Sequence, residues 1–379
     1  MRTEFCQRLG IEYPIFAFSH CRDVVAAVSK AGGLGVFGMN AYTDPAEIRA
    51  QLDWLDAHIG DRRYGIDVVI PQKHEGKGSG VTDIATFEAL LAKMIPPEHK
   101  AFRDRVLAEN GVPELPPDAD RLGLLGWTET SAAPAVEEAL KRDKCVMVAN
   151  ALGTPPQDVV QRLKQHGKLV GALCGTIKQA VRHKEAGLDF VVAQGSEGGG
   201  HTGEVGSIVV WPQIIDTVAP LPVLCAGGIA NGRQVLAALG MGAAGVWTGS
   251  LWLTAVEAAA QPAEKALYFN ASSEDTVRSR AWTGKKARVL KNAWTDAWER
   301  PDAPEPLGMP LQGLLSMEAM QRTGRYIDRA GAQRCAFAPV GQVVGMLQRE
   351  ESCRDIVARL VHEYLDAQER LEGLLNAGR

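Results

Sequence analysis

Eight short apolar runs, alternating with helix-like segments at nearly constant spacing, predict an α/β chain folded as a (β/α)8 TIM barrel. Two further observations shape that prediction. The spacing breaks once, after the third run, which predicts an insertion over residues 72–134. About 130 residues follow the eighth run, which predicts a C-terminal α-rich extension forming a smaller substrate or lid domain. An open doubly wound sheet is the competing architecture, because closure of a sheet is not written in a sequence.

The strands are expected at Tyr13–Phe18, Leu34–Phe37, Tyr64–Val69, Cys145–Ala149, Leu169–Cys174, Phe190–Gln194, Pro222–Ala226 and Gly245–Thr248. Most are near-continuous apolar runs, as parallel strands covered on both faces are. Asp23–Ala31 and Pro45–His58 read as the first two helices. Thr154-Pro155-Pro156 opens a third, with proline near the first turn, where its missing N–H costs little. Thr176–Ala186 and Gly232–Leu239 read as two more. Strand starts are about 20–33 residues apart, the length of one βα unit. The exception is about 80 residues and contains His74-Glu75-Gly76-Lys77-Gly78-Ser79-Gly80, with Lys73 beside it, and Pro113–Pro117. It follows the strand end where a barrel carries its active-site loops, so it is either a lid or a peripheral decoration.

The barrel is expected from residues 1–71 and 135–257, completed by the helix region 339–379. Residues 258–338, with Trp282, Trp294, Trp298 and Pro301–Pro310, are expected to form a substrate-binding subdomain. Ser352–Leu375 reads as an amphipathic helix. Its apolar positions Ile356, Val357, Leu360, Val361, Tyr364, Leu365, Leu371 and Leu374 follow the helical period and should pack on the barrel.

Composition excludes classes. Hydrophobic residues make up 46% and charged residues 23%, as in ordinary globular proteins, which rules out a disordered or fibrous chain. A net charge of −4 leaves no overall footprint for nucleic acid or an anionic membrane. Seven dispersed cysteines without a C-x-x-C pair argue against a disulfide framework. No metal is expected, since neither H-E-x-x-H nor paired Cys/His spacing occurs. With no secretory leader pattern and no apolar membrane span evident, the expectation is a cytoplasmic monomer or homodimer acting on a small molecule. The outlier is glycine: 40 of 379 residues, against about 7% on average.

The positions of those glycines matter more than their number. Gly33-Leu34-Gly35-Val36-Phe37-Gly38 matches a dinucleotide pattern but overlaps a strand rather than opening a helix, so it reads as close helix–strand packing. Gly227-Gly228 ends the seventh strand, and Thr248-Gly249-Ser250 ends the eighth. Those two strand ends are where barrels bind phosphate through backbone N–H groups, and Thr248 and Ser250 add hydroxyls. The bland alternative is a pair of tight turns. Gln194-Gly195-Ser196-Glu197-Gly198-Gly199-Gly200-His201 ends the sixth strand. Three successive glycines can lie against a flat ligand, and His201 behind them can transfer or donate a proton.

These residues together resemble the nitronate monooxygenase family of FMN-dependent TIM-barrel oxidoreductases. The resemblance rests on Ala31–Gly35, Ala193–Gly203, Pro222–Ala230, Leu239–Gly242, Gly245–Ser250, Thr283–Arg288 and Gly341–Gly345, and spans most of the chain outside 72–134. It implies FMN at the barrel mouth, its phosphate on Gly227, Gly228, Gly249 and Ser250 with Thr248 close by. Gln194 and Gly198, Gly199 and Gly200 would run beside the isoalloxazine, and His201 would face the substrate and stabilise its charge. The implied reaction is oxidation of alkyl nitronates with dioxygen.

The chain departs from the family at two places. Ala17-Phe18-Ser19-His20 stands where an Ala-Pro-Met or Gly-Met type turn is usual, which makes Phe18 a flavin neighbour and His20 a second catalytic candidate. Asp67 replaces a common asparagine on strand three. Ionised, it only accepts hydrogen bonds; neutral, it also donates. The basic run Lys285, Lys286, Arg288 and Lys291 is either a solvated face or a contact for an anionic substrate such as a CoA thioester or the NAD(P)H phosphates. Two alternatives to the monooxygenase remain: an FMN reductase drawing on NAD(P)H to reduce a quinone or an enoyl thioester, and a non-redox barrel that binds a phosphorylated ligand.

Overall fold

The computed structural model describes residues 1–70, 84–119 and 129–377. Eight parallel strands close into a barrel. They are β1 (Ile15–Ser19), β2 (Leu34–Gly38), β3 (Tyr64–Val68), β4 (Cys145–Asn150), β5 (Leu169–Cys174), β6 (Phe190–Gln194), β7 (Val223–Ala226) and β8 (Gly245–Thr248). Closure is made by β1 on β8, where Ala17 stands opposite Thr248. The open-sheet alternative is thereby excluded.

Strand alternation sorts the core. Phe16, Leu34, Val36, Met147, Ala149, Phe190, Val192, Leu224, Ala226 and Trp247 fill the barrel interior. The alternate residues, such as Tyr64, Ile66 and Val68 of β3, pack outward under the helices. Gly65 and Asp67 therefore point inward, Asp67 near the C-terminal mouth. Gly35 lies where a Cβ would run into the Val25 carbonyl of the first barrel helix, so the dinucleotide-like run is a close-packing device.

The helices follow the strands in turn: Arg22–Lys30, Pro45–His58, Glu129–Leu140, Gln157–Gln165, Ile177–Glu185, Ser207–Val218 and Gly232–Gly240. The eighth position is filled from afar, by Cys353–Asn376, which packs on Gly232–Gly240 and Arg22–Lys30. There the Gly232 N–H donates to Glu363 at 2.7 Å. Only the first half of this helix is buried, through Ile356, Val357 and Leu360. Leu371 and Leu374 are 50% and 63% exposed, because the helix outruns the barrel that its apolar stripe was expected to cover throughout.

Ser207–Val218 is a helix although it carries β-branched residues and Pro212. Burying Val210, Trp211, Ile214 and Val218 on the barrel overrides their weak helix propensity. Residue 134 is not a boundary, since Pro134 lies inside the barrel helix Glu129–Leu140. The rest of the insertion is not a separate layer either. Its helices Ile84–Met94 and Pro97–Glu109 pack on Leu311–Arg325 of the C-terminal extension. Phe102, Val106 and Leu107 share a core there with Trp282, Trp294, Trp298 and Leu315, and Trp282 stacks on Trp294 at 4.7 Å. Lys73, His74 and Lys77, singled out in the sequence, lie outside the described residues.

The extension reaches the barrel mouth through a hairpin of β9 (Thr276–Ser279) and β10 (Ala287–Leu290). Its edge pairs with Gly200–His201, placing Ala287 opposite His201 and Arg288 opposite Gly200. No helix among the described residues is long and apolar enough to cross a membrane.

Candidate active site

The loop after β6 is tied down along its length. The Ser196 N–H donates to Val205 O at 2.9 Å, and Gly198 N–H to Gly195 O at 3.2 Å. Gln194 folds beneath its own loop and donates through Nε2 to Gly199 O at 3.4 Å. The Glu197 carboxylate accepts the Ser207 N–H at 2.8 Å and caps the following helix. Gly199 is required by contact: a Cβ there would lie 2.8 Å from the Val340 carbonyl carbon. The 340–342 segment is stitched across the mouth, with Gln342 N–H donating to Glu197 O and Gly341 N–H to Ser250 Oγ, both at 2.9 Å.

Beside this loop lies the glycine turn after β7. Gly227 and Gly228 have φ of +92° and +75°, values that favour glycine. Neither the Gly228 nor the Ile229 N–H donates to any described residue. Unpartnered N–H groups at a strand end before a helix suit an anion. The two hydroxyls of the β8 end differ. Ser250 Oγ accepts from Gly341 and keeps its own proton available. Thr248 is buried, donates to Phe16 O at 3.1 Å and accepts from Trp252 Nε1 at 3.0 Å. Its hydroxyl is committed to the barrel wall, and the expected phosphate contact through it is not available. Gly249 beside it is open, a Cβ there meeting nothing nearer than Phe18 at 3.9 Å.

The inner face of the mouth is apolar on one side and polar on the other. Phe18 stacks on Trp247 at 6.3 Å and meets His20 edge-on at 5.0 Å. His20 is held by its Nδ1 at 3.0 Å from Gly38 O and is exposed at the mouth. Asp67 is buried and its Oδ2 has no partner. Burial pushes its pKa well above the ordinary carboxylate range, so the neutral acid, a donor as well as an acceptor, is the favoured form. A buried polar atom left unpaired is rare, and one at a barrel mouth suits a ligand's hydrogen-bonding edge.

His201 sits where barrel and extension meet. Its Nε2 lies 2.8 Å from Thr283 Oγ1, and the Thr283 hydroxyl donates to Lys285 O at 2.9 Å. Burial and the nearby Lys285 charge push the His201 pKa down to about 4. Thr202 Oγ1, on the next residue, is buried without a partner. Lys285 is an exposed residue whose pKa is lowered by partial desolvation.

The basic run does not act as one surface. Arg288 turns inward, donating through Nε and Nη2 to Ser196 O at 2.9 and 2.8 Å and through Nη1 to Thr276 at 2.9 Å. It clamps the β6 loop to the extension and is not free to meet a substrate anion. Lys286 pairs with exposed Glu204 at 3.5 Å. Within this run, Lys285 is the charge that acts on His201.

The nitronate monooxygenase family model matches residues 4–363 of the chain. The chain belongs to the nitronate monooxygenase family. It is an oxidoreductase with the fold of that family. A Mycobacterium tuberculosis protein bearing a monooxygenase name is 46% identical, covering 99% of this chain and 100% of that protein. A Staphylococcus aureus protein named as a nitronate monooxygenase is 29% identical, covering 86% of this chain and 89% of its own. In fold, the chain is similar to a nitroalkane oxidase from Streptomyces ansochromogenes, with a TM-score of 0.78 and 24% identity over 95% of this chain and 98% of the other. Within this family member, Thr283 and Gly341 escaped the sequence reading as parts of the mouth, and Glu197, inside the β6 loop, was given no role. Thr283 and Gly341 stood inside runs that resembled the family, but no local pattern tells which side chain they reach.

Proposed function

We propose that the chain is an FMN-dependent monooxygenase of alkyl nitronates. The observation that carries this reading is one juxtaposition. On adjacent strand ends, β6 presents His201 beside Lys285, and β7 presents the unpartnered N–H groups of Gly228 and Ile229. The first is a place for an organic anion and the second a place for a phosphate. The family and the nitronate monooxygenase name of a relative point the same way.

The residues present fit FMN. Gly227, Gly228, Gly249 and the Ser250 hydroxyl would hold its phosphate, and the unpaired Asp67 would meet a polar edge of the ring. Phe18 and Gln194 would flank it, with Gly198, Gly199 and Gly200 close enough for a flat ring to approach. Bound FMN would supply the redox chemistry, taking an electron from the nitronate and returning electrons to dioxygen. The chain's part is to bind and orient. A nitronate is already anionic and needs no strong base. Lys285 would hold its charge in a site where partial exclusion of water strengthens the attraction. Neutral His201 would pack beside it and set its orientation.

Two measurements test this reading. The purified protein should show flavin absorption, or gain it when FMN is added. Under anaerobic conditions an alkyl nitronate should bleach that absorption, while NADH and NADPH should do so slowly. A colourless protein that takes up no FMN overturns the flavin reading. Fast bleaching by NADH or NADPH and none by nitronate converts it to a reductase, with NAD(P)H as electron donor.

A further inference from the structure

We infer that Thr283 fixes the tautomer of His201, placing the ring proton on Nε2 and leaving the lone pair on Nδ1. The geometry decides between two arrangements. The Thr283 hydroxyl has one proton and three neighbours: His201 Nε2 at 2.8 Å, Lys285 O at 2.9 Å, and the Lys285 N–H, which donates to it at 3.4 Å. Lys285 O is a carbonyl and only accepts. If the hydroxyl donated to His201, two oxygen acceptors would face each other at 2.9 Å with no proton between them. If it donates to Lys285 O, its lone pairs are free to accept Nε2–H, and every contact is satisfied. The second arrangement therefore holds.

The backbone enforces the same relation. Thr283 is 3% exposed and stands in the turn between β9 and β10, while His201 pairs with β10 through Ala287. Strand pairing thus brings together two residues 82 positions apart. Nδ1 has no hydrogen-bond partner among the described residues. It is the one ring atom that can engage a substrate, and it can do so only by accepting a proton or a hydrogen bond. Stabilising a substrate anion then falls to Lys285 and not to His201. Thr283 is a positioning residue, acting through His201. This inference extends the proposed function by assigning a direction to His201, but its central test does not depend on flavin or nitronate.

The test is 15N NMR of histidine-labelled holoenzyme, with the His201 signals identified by their loss in His201→Asn. Wild type and Thr283→Ser should both show protonated Nε2 and unprotonated Nδ1 at neutral pH. Thr283→Val, which keeps the shape and removes the hydroxyl, should show mixed tautomers. Its kcat/KM should fall by roughly 10–100-fold, by analogy with the loss of partners that orient metal-ligating histidines. Thr283→Ser should recover most of that loss. Nδ1–H in the wild type overturns the inference, as does an unchanged tautomer in Thr283→Val. Should Thr283→Val fail to fold, the wild-type and Thr283→Ser spectra still decide. A protein without flavin that shows Nε2–H refutes the functional reading and supports this one.

Discussion

The barrel and the C-terminal extension contribute to one mouth by different means. The barrel offers backbone: positive-φ glycines after β7, unpartnered N–H groups and a glycine loop after β6. The extension offers side chains: Thr283 under His201, Lys285 beside it and Arg288 clamped to Ser196. In the proposed reading, the backbone sites would hold what is common to all turnovers, a cofactor phosphate. Side chains set charge and proton position, where reactions differ. If this division is right, changes on the barrel side should act on cofactor retention, and changes on the extension side on substrate and pH.

The sharpest break comes at the junction. His201→Asn should keep bound flavin and lower kcat/KM by about 10²-fold, the scale of lost substrate positioning. Flavin content from absorbance and steady-state kinetics measure the two halves separately. A variant with near-normal kcat/KM removes His201 from the chemistry.

On the barrel side, Gly228→Val should weaken FMN binding by at least about tenfold. At φ +75° a side chain costs about 1–2 kcal/mol, which the backbone relieves by turning its N–H away. Gly60→Val is the control, since Gly60 has φ +64° with no neighbour within 4 Å, at the opposite end of the barrel. Both should lose stability, but only Gly228→Val should lose affinity in a fluorescence titration of FMN. Equal affinity in the two variants would detach the phosphate from the β7 turn.

On the extension side the readout is pH. A His201 pKa near 4 means the ring is neutral above about pH 5. Activity that needs the neutral ring should show no His201 limb between about pH 8 and 5, and should fall as pH drops through about 4. Lys285→Met removes the nearby positive charge that opposes protonation. The pKa must then rise, and the acid limb should move to higher pH. KM for an anionic substrate should rise at the same time. An acid limb that stays in place in Lys285→Met would show that the lysine does not act on His201.

These two halves were not equally readable. Strand-end glycines announce themselves because a positive φ or a close approach restricts the residue type at that spot, so Gly227, Gly228 and the β6 loop were visible as candidates. The eight strands were visible for a similar local reason, a short apolar run covered on both faces. What depends on distant pairing was hidden. Thr283 reaches His201 across 82 positions, and Arg288 reaches Ser196 across 92. Asp67 could be flagged as a departure, but the absence of a partner for Oδ2 is a property of the packed mouth. The two described insertion helices packed on the extension gave no sign of sharing its tryptophan core, because their apolar faces are complete only when the two segments meet.

Arg288 offers the finest test of the division, because its sequence reading and its structural position give opposite results. As part of a basic substrate surface, its removal would raise KM for anions and leave the fold alone. As a buried clamp, its removal leaves Ser196 O without either guanidinium donor, at a cost of about 1–3 kcal/mol for a buried group left unpaired. Arg288→Met keeps much of the apolar stem and deletes the donors. The expected outcome is a Tm lower by several degrees, with KM for an anionic and a neutral substrate moving in the same proportion. A selective rise for the anion, with Tm unchanged, would return Arg288 to the substrate site and blur the line between the two regions.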